Sequence, residues 1–127
     1  CRVVPQHGKP DRKVYAITAA GRQELSQWAA EPSLPTPIRE DLLVKVLGGP
    51  YADPGQLLAE VLRRRGVHAG QLASYQETEA LFFSQGELPL QEQYRHLTLR
   101  RGILFEQEWI RWCDEVIVFL EAQHAAG

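Results

Sequence analysis

The sequence has 127 residues, of which 44% are hydrophobic, so the chain is long enough to bury the core of one domain. Its formal net charge of −2 argues against a protein that binds nucleic acid over its whole surface. No apolar run approaches the roughly 18 residues that a membrane span needs, and no secretory signal is visible, so a cytoplasmic protein is expected.

Charge is distributed unevenly along the chain. Residues 1–22 contain five basic residues and one acidic residue, a net charge of +4, whereas the remaining residues carry −6. A basic segment joined to an acidic body is typical of an element that contacts phosphate groups, attached to one that does not. A solvated segment with an ordinary mixture of charges explains the same numbers equally well.

The beginning of the chain predicts a β-hairpin followed by a helix. Residues 8–11 have the composition of a turn, residues 1–4 are apolar, and residues 12–18 alternate between two faces. Thr18 is a suitable N-cap for the next helix, which is expected to run as far as Glu31.

A stiff linker follows this helix, because three prolines occur within the six residues from Pro32 to Pro37. Thr36 followed by proline has the pattern of an N-cap and a first helical residue, which predicts a helix as far as about Leu47. Asp53 is also followed by proline and predicts the start of a third helix.

The third helix is expected to end at Gly66, since glycine commonly closes a helix. Three consecutive arginines, Arg63 to Arg65, would then lie in its last turn, where positive charge complements the helix dipole. A solvated cluster at a helix end is the preferred interpretation of this run, and a phosphate-binding cluster is the alternative.

Two longer helices complete the prediction, over residues 69–84 and residues 90–122. The apolar residues of the second form two stripes, so this helix should be covered on more than one side. At 1.5 Å per residue it would be roughly 50 Å long, which is longer than a monomer of this size easily buries. A second copy of the chain is the expected cover, and the predicted dimer interface consists of Leu97, Leu104, Trp109, Trp112, Val116 and Phe119.

Residues with catalytic or metal-binding chemistry are sparse. The four histidines fall in separate segments, without ligand spacing to one another or to either cysteine. Neither a phosphate-binding glycine-rich loop nor a nucleophile motif is present. Cys113 lies in an apolar pattern and is expected to be buried, whereas Glu106, Glu108, Asp114 and Glu115 are expected on a solvated face. The sequence therefore predicts a protein that is not an enzyme and holds no metal or cofactor.

Four aromatic residues support a further hypothesis. Tyr75, Phe82, Phe83 and Trp109 could line a pocket for a small, flat aromatic effector near the dimer interface. Aromatic residues at helical spacing belong more often to a core, and this is the preferred interpretation.

Residues 9–25, which read KPDRKVYAITAAGRQEL, resemble the wing and following helix of PadR-type transcriptional regulators. Residues 37–45 (PIREDLLVK) and residues 97–102 (LTLRRG), followed by Glu108 and Trp109, are similar to parts of that family's C-terminal domain. The resemblance implies a mainly α protein, in which the β-hairpin wing of a winged helix precedes a helical dimerisation domain with a long C-terminal helix.

The resemblance divides the chain into a wing with its connecting helix, a linker and a dimerisation domain, at residues 1–31, 32–36 and 37–127. It implies a DNA-binding transcriptional regulator, expected to be a repressor, that acts on double-stranded DNA as a homodimer. A helical protein-interaction module without DNA binding is the alternative from another functional class.

The resemblance also implies roles for individual residues. Lys9, Arg12 and Lys13 belong to the wing and are expected to contact phosphates or the minor groove, which positions a protein without specifying sequence. In the family about three helices precede the wing, including the helix that enters the major groove. No residue precedes Cys1 and the sequence contains no methionine, so a fragment is expected, with sequence specificity in the absent helix.

Overall fold

The computed structural model describes the backbone of residues 2–4 and 12–14 and all atoms of residues 17–36 and 40–126. The chain divides into two compact units, Cys1–Ile38 and Arg39–Gly127. Four α-helices contain most of the described residues, which confirms the prediction of a mainly α protein.

The first unit contains two short strands and one helix. Strand β1 (Arg2–Val4) pairs antiparallel with strand β2 (Arg12–Val14), and Val3 lies opposite Lys13. The turn predicted at residues 8–11 lies outside the described residues, so the connection between the two strands stays a prediction.

Helix α1 (Ala19–Ala29) begins at the predicted position. Oγ1 of Thr18 accepts a hydrogen bond from the backbone N–H of Gly21 at 3.0 Å, which satisfies one of the first amides of the helix. The predicted end at Glu31 is wrong by two residues, because the chain leaves the helix in a turn at Ala30.

Helix α2 (Asp41–Leu47) is the first helix of the second unit. Its N-cap is Glu40, whose side chain makes no capping hydrogen bond, so the predicted start at Thr36 is wrong. A short 3-10 turn (Gly49–Tyr51) follows α2, which confirms the predicted end of this helix.

Helices α3 (Pro54–Phe82) and α4 (Leu90–Ala126) form an antiparallel hairpin. At 1.5 Å per residue the two helices are roughly 45 and 55 Å long. Successive residues of α3 form hydrogen bonds with residues of α4 in reverse sequence order: Arg65 with Asp114, His68 with Glu106, and Glu79 with His96. Helix α4 begins at the predicted residue and extends four residues beyond the predicted Ala122.

The predicted helix end at Gly66 is wrong, because α3 continues through this residue without interruption. The beginning of α3 is as predicted, since Oδ2 of Asp53 accepts a hydrogen bond from the N–H of Gln56 at 3.1 Å. Arg65 and His68, on either side of the glycine, both bond to side chains of α4. These contacts hold the two parts of α3 in one helix.

The core of the second unit lies at one end of the hairpin. Its buried apolar side chains come from α2, the beginning of α3 and the C-terminal half of α4: Leu42, Leu57, Val61, Cys113 and Leu120. Cys113 is buried as predicted, and this burial raises the pKa of its thiol. No side chain between residues 69 and 102, here called the hairpin tip, is buried. The chain therefore covers its own hairpin at one end only.

Candidate functional sites

The basic residues that were expected to contact DNA belong to the first unit. Arg12 and Lys13 lie in strand β2, and Lys9 lies outside the described residues. Their assignment to DNA stays a prediction.

The six residues of the predicted dimer interface divide into two groups. Leu97, Leu104 and Phe119 are exposed. Trp109, Trp112 and Val116 are half-buried and pack against the core of their own chain. The first group is thus more accessible to a second copy than the second group is.

Several exposed apolar side chains lie in or beside the hairpin tip. On α4, Leu90, Tyr94, Leu97 and Leu104 are exposed, and their spacing of three, four or seven residues places them on one side of the helix. We call these four residues the tip face. Leu81 and Phe82, near the end of α3, are exposed as well. Several apolar side chains exposed on one face of a helix are typical of a surface that another molecule covers.

The four aromatic residues of the effector hypothesis have different neighbours. Gly102 lies close to the ring of Tyr75, Phe83 stacks on His96 with 5.1 Å between ring centroids, and Phe82 is exposed. Trp109 stacks on His68, which lies nearer the core. The structure therefore gives no support to an effector pocket formed by these four residues.

A cavity of about 750 Å³ lies beside the core, between α2, the 3-10 turn, the beginning of α3 and the C-terminal half of α4. Leu57 and Leu120, both buried, line its inner side. Trp112 and Phe119 contribute aromatic rings. Glu115 is the one charged residue among the thirteen that line this cavity. No sequence pattern predicts this site, because its walls come from segments more than fifty residues apart.

A buried polar cluster lies near the middle of the hairpin. His68 and Glu106 are only 8% and 6% exposed, and Nδ1 of His68 lies 2.5 Å from Oε2 of Glu106. The His68 ring stacks on Trp109 with 4.8 Å between centroids, and its Nε2 lies 3.5 Å from Nη2 of Arg64. In this geometry Nδ1 of His68 can donate to the carboxylate of Glu106, while the other ring nitrogen faces the guanidinium group of Arg64.

The prediction that Glu106 is solvated is wrong, because its side chain is buried. It bonds to His68, which lies 38 residues away in the sequence and on another helix. The other three carboxylates of that prediction, Glu108, Asp114 and Glu115, are exposed as predicted. Buried polar groups need hydrogen-bond partners, and the spacing of charges along one helix does not show whether another helix supplies one.

The three arginines from Arg63 to Arg65 lie within α3 and not at its end, so the predicted position of this cluster is wrong. Each has an acidic partner: Glu60 for Arg63 at 2.6 Å, Glu40 for Arg64 at 3.1 Å, and Asp114 for Arg65 at 2.5 Å. The hydrogen bond from Arg65 lowers the pKa of Asp114. All three guanidinium groups are thus engaged within the chain.

No group of three or more His, Cys, Asp or Glu side chains in the described ranges is placed to hold a metal ion. Within the same part of the chain, no helix combines the length and the apolar composition that crossing a membrane requires.

Residues 38–121 match the family described as virulence activator alpha C-term. The probable transcriptional regulator Rv1176c of Mycobacterium tuberculosis is 38% identical to this chain, in a match that covers 93% of this chain and 68% of the relative.

Two solved structures share the fold. The virulence activator AphA of Vibrio cholerae matches with a TM-score of 0.75 and 32% identity, over 87% of this chain and 66% of that protein. Bacillus subtilis PadR, solved in complex with operator DNA, matches with a TM-score of 0.72 and 17% identity, over 94% of this chain and 68% of that protein. The chain thus spans about two thirds of the length of each of these proteins.

The family match defines the class of the second unit, which is a virulence activator alpha C-terminal domain. The chain belongs to the PadR-like family of transcriptional regulators.

Proposed function

We propose that this chain is the wing and dimerisation part of a transcriptional regulator that binds DNA as a homodimer. The observation that carries the proposal is the 38% identity, over 93% of the chain, to a relative described as a transcriptional regulator. The likeness of fold to a regulator solved with operator DNA supports it.

The surface of the second unit supports dimerisation. The tip face exposes three leucines and a tyrosine, and Leu97 is 68% exposed. Fully burying a leucine side chain contributes about 1.5–3 kcal/mol, so covering this face with the same face of a second copy stabilises both chains. A two-fold axis brings identical surfaces together, which suits a face that lies on a single long helix.

The first unit is assigned to DNA contact. Strands β1 and β2 contain a high density of basic residues: Arg12 and Lys13 belong to β2, and Lys9 precedes this strand in the sequence. Each phosphate that a cation neutralises changes log K against log salt by a slope of about −0.9. Three cations per chain give weak binding without sequence preference, because base-edge readout requires an element within a groove.

The direction of regulation stays a prediction. The resemblance to PadR-type regulators implied repression, and one of the similar proteins is named a virulence activator. A regulator that binds chromosomal DNA works in the compartment that holds the chromosome, which is the cytoplasm in bacteria such as those of the three relatives.

Fluorescence anisotropy with labelled duplexes at two salt concentrations tests the proposal. This chain alone should bind all duplexes weakly and lose them near physiological salt. A longer protein that carries this chain behind a helix-turn-helix should bind a preferred site far more tightly. In that protein, Lys9→Glu combined with Lys13→Glu should weaken all sites to a similar extent. Lys45→Glu, a charge reversal on α2, should leave DNA binding unchanged and is the matched control.

Two results would contradict parts of the proposal. If reversing the wing charges changes the preferred site, the wing reads bases and does more than position the protein. If the longer protein ignores every duplex, the alternative function as a helical protein-interaction module is correct.

A further inference from the structure

We propose that the cavity between α2, the 3-10 turn and the C-terminal half of α4 is a binding site for a small apolar cation. The site lies wholly within the second unit, so it does not depend on the proposed contact with DNA.

The size and lining of the cavity suit a small organic molecule. Ligand pockets have volumes of roughly 300–1,000 Å³ and mostly apolar walls, and this cavity has a volume of about 750 Å³. Its inner side is already formed by the chain's own core, through Leu57 and Leu120. Leu47, which is 82% exposed, also lines it, so the cavity is open to solvent on that side. A ligand can enter without unfolding any helix.

The charge of the site selects a cation. The carboxylate of Glu115 forms no ion pair or side-chain hydrogen bond with any residue in the described part of the chain. Its neighbour Asp114, in contrast, is held by Arg65 on the opposite helix. A carboxylate beside an apolar cavity attracts a ligand cation and repels an anion.

The aromatic walls favour the same charge. Trp112 and Phe119 line the cavity, and the face of an aromatic ring attracts a cation within about 6 Å. Gln123, two turns after Glu115 on α4, contributes an amide that can accept or donate a hydrogen bond. One acidic group, two aromatic rings and aliphatic walls together define a ligand with an apolar body and a positive charge.

A second copy of the chain is a less suitable occupant. The tip face, which was assigned to the second copy above, lies at the opposite end of the hairpin from this cavity. Trp112, Val116 and Phe119 line the cavity and also belong to the predicted dimer interface, so a second copy is the occupant that the sedimentation experiment below has to exclude.

Two probes of the same shape and opposite charge test the proposal. Tetraphenylphosphonium is an apolar cation and tetraphenylborate is its anionic counterpart. Calorimetric titration of the dimeric chain should show saturable binding of the cation at one site per chain, and binding of the anion about tenfold weaker or less. In the Trp28→Phe chain, which retains Trp109 and Trp112, the cation should change tryptophan fluorescence with the same saturation curve.

Matched variants assign the binding to this cavity. Glu115→Gln should weaken binding of tetraphenylphosphonium about tenfold, whereas Glu121→Gln, the same change outside the cavity, should not. Leu47→Arg should abolish cation binding by placing a positive charge at the opening. Val118→Arg, an equally drastic change at an exposed residue that does not line the cavity, should bind the cation normally.

Each contrary result overturns the proposal. Absence of saturable binding, or equal binding by both Leu47→Arg and Val118→Arg, would show that the cavity is not the site. Equal affinity for the two probes, or full affinity in Glu115→Gln, would show that charge does not select the ligand. If saturating tetraphenylphosphonium dissociates the dimer in sedimentation, a second copy occupies the cavity and the proposed small-molecule site is wrong.

Discussion

At the scale of single residues, the most consequential contact is the one between His68 and Glu106. Both side chains leave water when the hairpin forms, which costs free energy that their short hydrogen bond and the stacking on Trp109 offset. In such a pair the loss of one partner is more destabilising than the loss of both, because the remaining group stays buried without a hydrogen-bond partner.

We therefore expect His68→Leu and Glu106→Leu each to lower the free energy of unfolding by about 2–4 kcal/mol. The double variant should lose clearly less than the sum of the two single losses. Urea denaturation of the four proteins, at one fixed protein concentration, gives the double-mutant cycle. Additive losses would show that the two side chains stabilise the hairpin independently.

The stability of the folded chain should depend on pH through the carboxyl group of Asp114. The hydrogen bond from Arg65 lowers the pKa of this carboxyl below its ordinary value of 3.8, so the ion pair stabilises the folded chain above that pH. The contribution is lost as the pH falls through the lowered pKa, and it is small because both side chains are exposed to solvent.

The measurement is the thermal midpoint of unfolding at neutral and at acidic pH. Asp114→Asn should melt slightly below the unmodified chain at neutral pH, and this difference should vanish well below the ordinary carboxyl pKa. Glu121→Gln removes an exposed carboxylate of α4 and should change the midpoint little at either pH. A difference for Asp114→Asn that persists in acid would contradict the ion pair as its cause.

At the scale of helices, the sequence predicts what depends on near neighbours. The caps at Thr18 and Asp53 could be predicted because an N-cap depends on near neighbours: each side chain bonds to an amide only three residues later. The helix end at Gly66 was predicted wrongly, since glycine costs a helix only about 1 kcal/mol relative to alanine. Contacts with α4 on both sides of that residue outweigh this cost.

Helix α3 should therefore become more stable when Gly66 is replaced by alanine. An added Cβ at Gly66 has no atom within 4 Å, and Gly70 is equally open. Each substitution should raise the free energy of unfolding by about 0.5–1 kcal/mol.

Gly102→Ala is the contrasting variant on α4. Its Cβ would lie 3.0 Å from the ring of Tyr75, so the gain in helix propensity should be cancelled or reversed. Denaturation of the three single variants measures the differences. A destabilised Gly66→Ala would mean that α3 does break at this glycine, as the sequence first indicated.

Unlike the helix caps, the candidate sites depend on residues that are distant in the sequence. The pair of His68 and Glu106 and the cavity near Glu115 are each assembled from elements far apart in the chain. Periodicity along one helix shows which residues share a face, but it does not show what that face meets. Charge and apolar spacing therefore predicted the helices of this protein and not the two sites between them.

At the scale of the whole molecule, the hairpin is covered unevenly. Two apolar stripes in the sequence of α4 predicted that this helix needs cover on more than one side. The structure shows that the chain supplies this cover around Leu42, Val61 and Cys113 and leaves the tip face exposed. That α4 leaves apolar surface uncovered was thus predictable from the sequence, whereas the place of that surface along the helix was not.

Leu97→Glu should dissociate the proposed dimer without unfolding the chain, because Leu97 is exposed in the single protomer. Placing a charge on a face buried in the dimer should weaken association by about 2–4 kcal/mol, or roughly 30- to 1,000-fold. Sedimentation velocity over a range of protein concentrations measures this shift.

The control for this prediction is Val44→Glu, the same kind of change at an exposed residue of α2. It should leave association unaltered. An unmodified chain that sediments as a monomer at micromolar concentration would refute the dimer altogether.

The uneven core also has a consequence for the lifetime of the protein. Proteases cut backbone that opens locally, and segments with few buried contacts open at the lowest free energy. The hairpin tip, with its non-helical connection at residues 83–89, is such a segment in an isolated protomer. A second copy on the tip face would close it, so scarce copies would be degraded faster than abundant ones. The amount of this protein in the cell would then rise more steeply than in proportion to its rate of synthesis.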